Sequence, residues 1–146
     1  MIRAPQLVWF WRHPVEVKWY EAQCPVSLLA QVQVDRWFTR FRTKNRTLRE
    51  LVDNPHPDAR PKTIDGPFAL KQIRGSPILM CDKLTGPFVF MDGSNRLRQI
   101  LIEHDRGAIK AEETFAVIVG VHPNAREWPH WRDRLPPGEM LPGEAD

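Results

Sequence analysis

With 146 residues, 42% of them hydrophobic and 27% charged, the chain carries enough apolar material for one domain core without covalent staples. No run approaches the roughly 18 apolar residues of a membrane span, and residues 1–11 lack the features of a secretory leader, so no membrane association and a cytoplasmic location are expected. The formal charge of +3 is unevenly spread: residues 36–49 hold six basic side chains and no acid, while residues 132–146 hold two basic and four acidic ones.

In chain order, residues 7–11 form a short aromatic run that reads as a strand, and Val15-Glu-Val-Lys-Trp19 alternates as a half-buried strand does. Pro25 suits a first helical turn, and Leu28, Leu29, Val32, Trp37 and Phe41 recur at helical spacing, which predicts a helix over 26–42. Thr47-Leu-Arg-Glu50 is a capping box and opens a short helix that Asn54-Pro55 stops. A proline-rich loop over 54–67 leads to a further short helix at 68–73. The apolar runs 77–81 and 87–91, separated by a turn containing Gly86, predict a β-hairpin. Leu97, Ile100, Leu101 and His104, closed by Gly107, predict a helix over 94–105, and residues 115–121 predict a buried strand. Residues 132–146, rich in proline, glycine and acid, read as a flexible tail beyond a single domain spanning 1–131.

Cys24 and Cys81 lack the paired spacing of a zinc site and are expected to be reduced, partly buried thiols. The five histidines show no metal-ligand spacing; His104 is expected to pack against the core. Trp128 and Trp131 are expected to fold back over the core, with a protein-partner surface as the alternative.

The most informative stretch is Asp92-Gly93-Ser94-Asn95-Arg96, at the end of a hydrophobic strand and the start of a helix. Glycine permits a tight turn, Ser94 is expected to act as the N-cap, and the first helix amides lack internal partners. With Arg96 in the first turn, the arrangement suits a phosphate or another anion. Asp92 is placed either to bind a cation such as Mg²⁺ or to pair with Arg96 in an ordinary strand–turn–helix.

Residues 77–103 resemble the core of the ParB/sulfiredoxin superfamily. The matching pieces are Ser76-Pro77-Ile78-Leu79, Gly86, Phe88-Val89-Phe90-Met91 and the Asp-Gly-x-x-Arg box at 92–96. The resemblance implies a ParB/sulfiredoxin-like α+β fold: a small mixed sheet of about four to six strands with three to four helices. It also implies a phosphate-binding turn formed by Gly93, Ser94, Asn95 and Arg96. In serine-kinase-like members a glutamate from the N-terminal region is the general base, a role for which Glu16 and Glu21 are the candidates here. Sulfiredoxins carry a cysteine where this chain has Ser94 and a histidine where it has Asn95, so sulfinic-acid repair is not expected. The single-arginine box and the short remainder argue against centromere binding.

Arg60 and Lys62 flank a proline near the expected site and are candidate phosphate contacts. The basic span interleaves Trp37, Phe38 and Phe41 with Arg36, Arg40, Arg42, Lys44 and Arg46. Arg36 and Arg40 share one helical face, as in an amphipathic helix with a solvated basic side or in an electrostatic footprint for nucleic acid. The expected function is binding of a nucleotide (ATP or CTP) or nucleic-acid phosphate at residues 92–96. If the protein is catalytic, the expected chemistry is Mg²⁺-dependent nucleotide or phosphodiester hydrolysis with Asp92 at its centre. The alternatives are small-molecule phosphoryl transfer with Glu16 as base, and a non-catalytic interaction or inhibitor protein of a plasmid, phage or conflict system.

Overall fold

The computed structural model describes residues 9–34, 47–53, 76–128 and 131, with residue 94 described through its backbone. Four strands, β1 (Lys18–Pro25), β2 (Ile78–Cys81), β3 (Val89–Asp92) and β4 (Thr114–Val121), form one mixed sheet in the order β1-β4-β2-β3. Two α-helices, α1 (Leu48–Asp53) and α2 (Ser94–Asp105), join a helical turn at 9–12 and the 3-10 turns Val26–Gln31 and Ala125–Glu127. This is an α+β architecture. No helix among the described residues is long and apolar enough to cross a membrane.

The hairpin expected around Gly86 forms: β2 and β3 pair antiparallel, and Gly86 takes a φ of +84° that its lack of a side chain permits. The buried run Thr114–Val121 becomes the strand that holds the sheet together, antiparallel to β1 and parallel to β2. Parallel neighbours need a crossover, and β3 followed by α2 supplies it. The apolar stripe of α2, Leu97, Ile100 and Leu101, is buried against the sheet. Its end is a Schellman arrangement: the Gly107 N–H donates to the His104 carbonyl and the Ala108 N–H to the Glu103 carbonyl, each at 3.0 Å. Nδ1 of His104, 2.7 Å from the Ile109 carbonyl, ties the following loop to the same end.

Alternate strand residues bury against two different layers. Leu79, Cys81, Phe90, Phe115, Val117 and Val119 face α1, α2 and the Val26–Gln31 turn. Ile78, Met80, Val89, Met91 and Ile118 face Phe10, Trp128 and Trp131. Both tryptophans expected to fold back do so, Trp128 with no exposed surface and Trp131 with 4%. The alternative of a partner surface through Trp128 and Trp131 is thereby corrected: their rings are core, because the second face of the sheet has hydrophobic strand residues to cover.

Three element boundaries differ from expectation. The expected strand at 7–11 is helical over its described residues, 9–11. One helical turn stacks Trp9 on His13, with ring centroids 4.8 Å apart, and sets Phe10 beside Trp128; alternation would have sent these rings to opposite sides. The expected strand at 15–19 begins only at Lys18. The Val15 N–H donates to His13 and its carbonyl meets Nε2 of His122, so its backbone is committed outside the ladder. The expected helix at 26–42 is a 3-10 turn that ends at Gln31, with Val32 extended at φ −63° and ψ 131°. Gln33 instead enters the sheet: its N–H donates to the Phe88 carbonyl at 2.8 Å, and the Phe90 N–H donates to the Gln33 carbonyl at 3.1 Å. Positions 35–42 of that expected helix lie outside the described residues, as do the loop at 54–67, the helix at 68–73 and the tail at 132–146.

The capping box is present. The Glu50 N–H donates to Thr47 Oγ1 at 3.3 Å, and the Thr47 N–H donates to Glu50 Oε1 at 3.4 Å. Cys24 and Cys81 are both free and buried, and burial pushes each thiol up to about 11. A thiol reagent such as Ellman's reagent should therefore react with both only as the protein unfolds. A rapid two-thiol reaction in native buffer would contradict that burial.

His122 is fully buried beneath Trp9, Phe10 and His13. Its Nδ1 accepts the Asn124 N–H at 3.0 Å, which leaves Nε2 to donate to the Val15 carbonyl at 2.9 Å. Both ring nitrogens are thus used by the neutral imidazole, and burial holds its pKa below the usual 6.5. A depressed histidine pKa contributes stability that is present above the unfolded value and is lost as pH falls through the folded one. Urea denaturation should show stability level above pH 7 and falling below about pH 6.5, by at most about 1.4 kcal/mol per pH unit for this group. His122→Gln should flatten that slope between pH 5 and 7; an unaltered slope would assign it to other groups.

Candidate functional site

The turn from β3 into α2 is built by sequence-local requirements. Gly93 caps the helix in the left-handed region, φ +91° and ψ 23°, and its carbonyl accepts the Leu97 N–H at 3.0 Å. Ser94 is the first residue of α2 rather than its N-cap, which corrects the expected capping role; the cap is a glycine and makes no side-chain capping bond. A left-handed cap strongly favours glycine, and here space demands it as well. A Cβ on Gly93 would lie 2.9 Å from Arg96 Nη2 and 3.0 Å from Pro77 Cβ. The Arg96 guanidinium thus reaches back over the turn, while Pro77, whose carbonyl accepts the Ile118 N–H at 2.9 Å, walls its other side.

Asp92 lies one helical turn before Arg96, with Oδ2 3.8 Å from Nη2. That is an ion pair longer than a hydrogen bond. Their side chains retain 21% and 27% of their exposure, so both reach solvent. Asn95 is exposed, and its Oδ1 accepts from Nη2 of Arg98 at 2.5 Å. Arginine nitrogens only donate, so this contact fixes which amide atom faces inward and turns the Asn95 amino group away from Arg98. Arg98 is 4% exposed, and burial pulls its pKa down to about 10, which leaves it charged at neutral pH. Two guanidiniums therefore stand in the first turns of a 12-residue helix, where the positive end of the helix dipole already favours an anion. Sequence reasoning singled out Arg96 and passed over Arg98. The available signal was the i,i+3 spacing of Asn95 and Arg98, which places them on one helical face.

Asp92, Gly93, Asn95, Arg96 and the backbone of Ser94 are thus brought together as expected. Glu16 is not. It precedes β1, an edge strand, whereas Asp92 ends β3, the opposite edge. The register aligns Ile78 with Asp92 and with Ile118, and Ile118 with Glu21, while Lys18 lies level with Val121. Three strand spacings of ~4.8 Å separate even Glu21 from Asp92, about 14 Å, and Glu16 lies farther toward the other end of the sheet. The expectation of Glu16 as a catalytic base beside Asp92 is corrected by that register. Arg60, Lys62, Arg36, Arg40, Arg42, Lys44 and Arg46 lie outside the described residues. Arg49, the last basic residue of that span, ties α1 to the end of α2 by donating to both Asp105 oxygens, at 2.9 and 2.6 Å, and to Asp53. The Arg49 hydrogen bonds hold the Asp105 carboxyl below its usual range.

Among the described residues no group of three histidine, cysteine, aspartate or glutamate side chains is arranged to hold a metal. Comparison with family models, with curated proteins and with solved structures returns no match.

The two left-handed glycines at the ends of α2 give a clean test of the turn. Gly107→Ala meets only the conformational cost, since nothing lies within 4 Å of the added Cβ, whereas Gly93→Ala adds contacts at 3.0 Å or less with Arg96 and Pro77. Gly107→Ala should cost about 1–2 kcal/mol, and Gly93→Ala more than that, both by chemical denaturation. Equal losses would mean that the space above Gly93 is not restricted.

Proposed function

We propose that the protein is a ParB/sulfiredoxin-like phosphate binder whose ligand is a nucleotide or a nucleic-acid backbone, held at residues 92–96. The observation that carries this reading is the Arg96 guanidinium folded back across a left-handed Gly93 at the start of α2. The first helix amides would donate to a phosphate, and Arg96, packed against Gly93, adds a full charge. Asn95, its carbonyl oxygen engaged by Arg98, adds amide donors. A divalent ion would be held by Asp92 together with the ligand's own phosphate oxygens, the manner in which Mg²⁺ takes one carboxylate and keeps several waters. Hydrolysis of a nucleotide or phosphodiester is the chemistry such an ion would supply. The basic residues of the 36–46 span would add electrostatic attraction for a polynucleotide.

The test is a thermal-shift and titration series with ATP, CTP and short oligonucleotides, with and without Mg²⁺. A ligand at 100 times its Kd should add about 2.7 kcal/mol of stability. Arg96→Ala should lose about 1.5–3 kcal/mol of anion affinity, while protein stability changes by about 1 kcal/mol or less. Asp92→Asn should keep or improve phosphate binding and lose any Mg²⁺ dependence. Salt-sensitive oligonucleotide binding that weakens in Arg36→Gln/Arg40→Gln assigns a nucleic-acid ligand; nucleotide binding alone assigns the small ligand. If Arg96→Ala binds like the unaltered protein, the pair with Asp92 is only a structural turn.

A further inference from the structure

We propose that the outer edge of β1 is a self-association surface, on which a second copy of this chain pairs antiparallel to give a continuous eight-stranded sheet. The inference is independent of the phosphate site. Residues 18–23 are all exposed, among them Trp19 and Tyr20 at 44% and 42%. β1 pairs with β4 over all eight residues without a register shift, so the strand is not twisted away by a bulge.

The direction of its backbone groups follows from the hydrogen bonds of β4. The Ile118 N–H donates to Pro77 and the His122 N–H to Cys81, so even-numbered residues of β4 serve β2. Odd-numbered residues of β4 therefore serve β1, where their partners are even-numbered. The Val26 N–H, donating to Glu113 at 2.8 Å, continues the same alternation. Trp19, Glu21 and Gln23 consequently direct their N–H and C=O groups outward, and among the described residues nothing bonds to them.

The other edge of the sheet is covered at the start of β3. Gln33 bridges to Val89 of β3 and, on its other side, to Thr47. Pairing of β1 with β1 about a two-fold axis uses the same edge on both copies, so it ends at two copies instead of growing into a filament. The occupant is a second copy because the edge is self-complementary. It is antiparallel under a two-fold axis normal to the sheet, and it is electrically balanced by Lys18 and Glu21, so two copies do not repel. Such an axis pairs residues of like parity. Centred on Glu21 it would oppose two carboxylates. Centred on Tyr20 it opposes Tyr20 to Tyr20, Trp19 to Glu21 and Lys18 to Ala22, with no like charges facing and the tyrosines as a cross-strand aromatic pair.

Sedimentation equilibrium between about 1 and 500 µM tests this across the range expected of a weak to moderate association. The mass should rise with concentration from 17.0 kDa toward twice that value and no further. Glu21→Pro removes an outward N–H and leaves the β4 ladder intact, so it should remain monomeric with its fold kept. Should that variant fail to fold, Tyr20→Lys opposes two ammonium groups at the axis and should also remain monomeric. Hydrogen exchange of the Trp19, Glu21 and Gln23 amides should slow as concentration rises. A monomer at every concentration overturns the proposal, including one that instead takes up an extended peptide from another protein. So does a dimer unaffected by Glu21→Pro and by Tyr20→Lys.

Discussion

The placement of β4 between β1 and β2 is the constraint on which the remaining architecture depends. Because β4 runs parallel to β2, the chain cannot pass from one to the other by a tight turn. It uses β3 and α2 as the crossover, and this route sets the start of α2 at the sheet end where Pro77, Ile78 and Ile118 lie. The Asp92–Arg96 turn is therefore a product of topology as much as of its own five residues. Its left-handed glycine is held between a guanidinium from its own helix and the proline that precedes the neighbouring strand.

The same central strand makes the sheet two-sided. With apolar residues alternating onto both faces, each face needs a cover, and the covers differ in kind. Helices supply one. The other comes from aromatic rings of residues 9, 10, 128 and 131, remote in sequence and gathered over Ile78, Met80, Val89 and Met91. Two polar side chains enter this second layer with partners: His122 engages Asn124 and Val15, and the Trp131 indole donates to Gln33. Buried polar groups that are satisfied in this way specify one arrangement of the covering segments.

Much of the fold was legible where local periodicity and tertiary demand agree. The hairpin around Gly86, the capping box at Thr47, the helix closed by Gly107 and the strand ending at Val121 all form. Legibility failed where tertiary pairing overrode local pattern. The helical spacing after Pro25 stops at Gln31 because the backbone of Gln33 is recruited to cover the edge of β3. The aromatic run near residue 9 has strand composition but is needed as a one-sided cap. Within the site, the contiguity of Asp92, Gly93, Asn95 and Arg96 could be read directly, since they are neighbours in the chain. The separation of Glu16 required the strand order, which no local pattern contains. Arg98 escaped notice because a cation inside an apolar stripe normally reads as solvent-facing, whereas here its head turns along the helix to Asn95.

The long sequence separation between the sheet and its second cover has a consequence for synthesis. Once Met91 has emerged from the ribosome, the hairpin can close with Trp9 and Phe10 already made, but the rings that complete the cover of Met80 and Met91 follow only with Trp128 and Trp131. At translation rates of about 5–20 residues per second, a nascent chain carries this half-covered, sticky surface for roughly 2–8 s before its shield is complete. Chaperone demand during translation should therefore concentrate in that window, and a stalled chain lacking the two tryptophans would be a natural substrate for quality control.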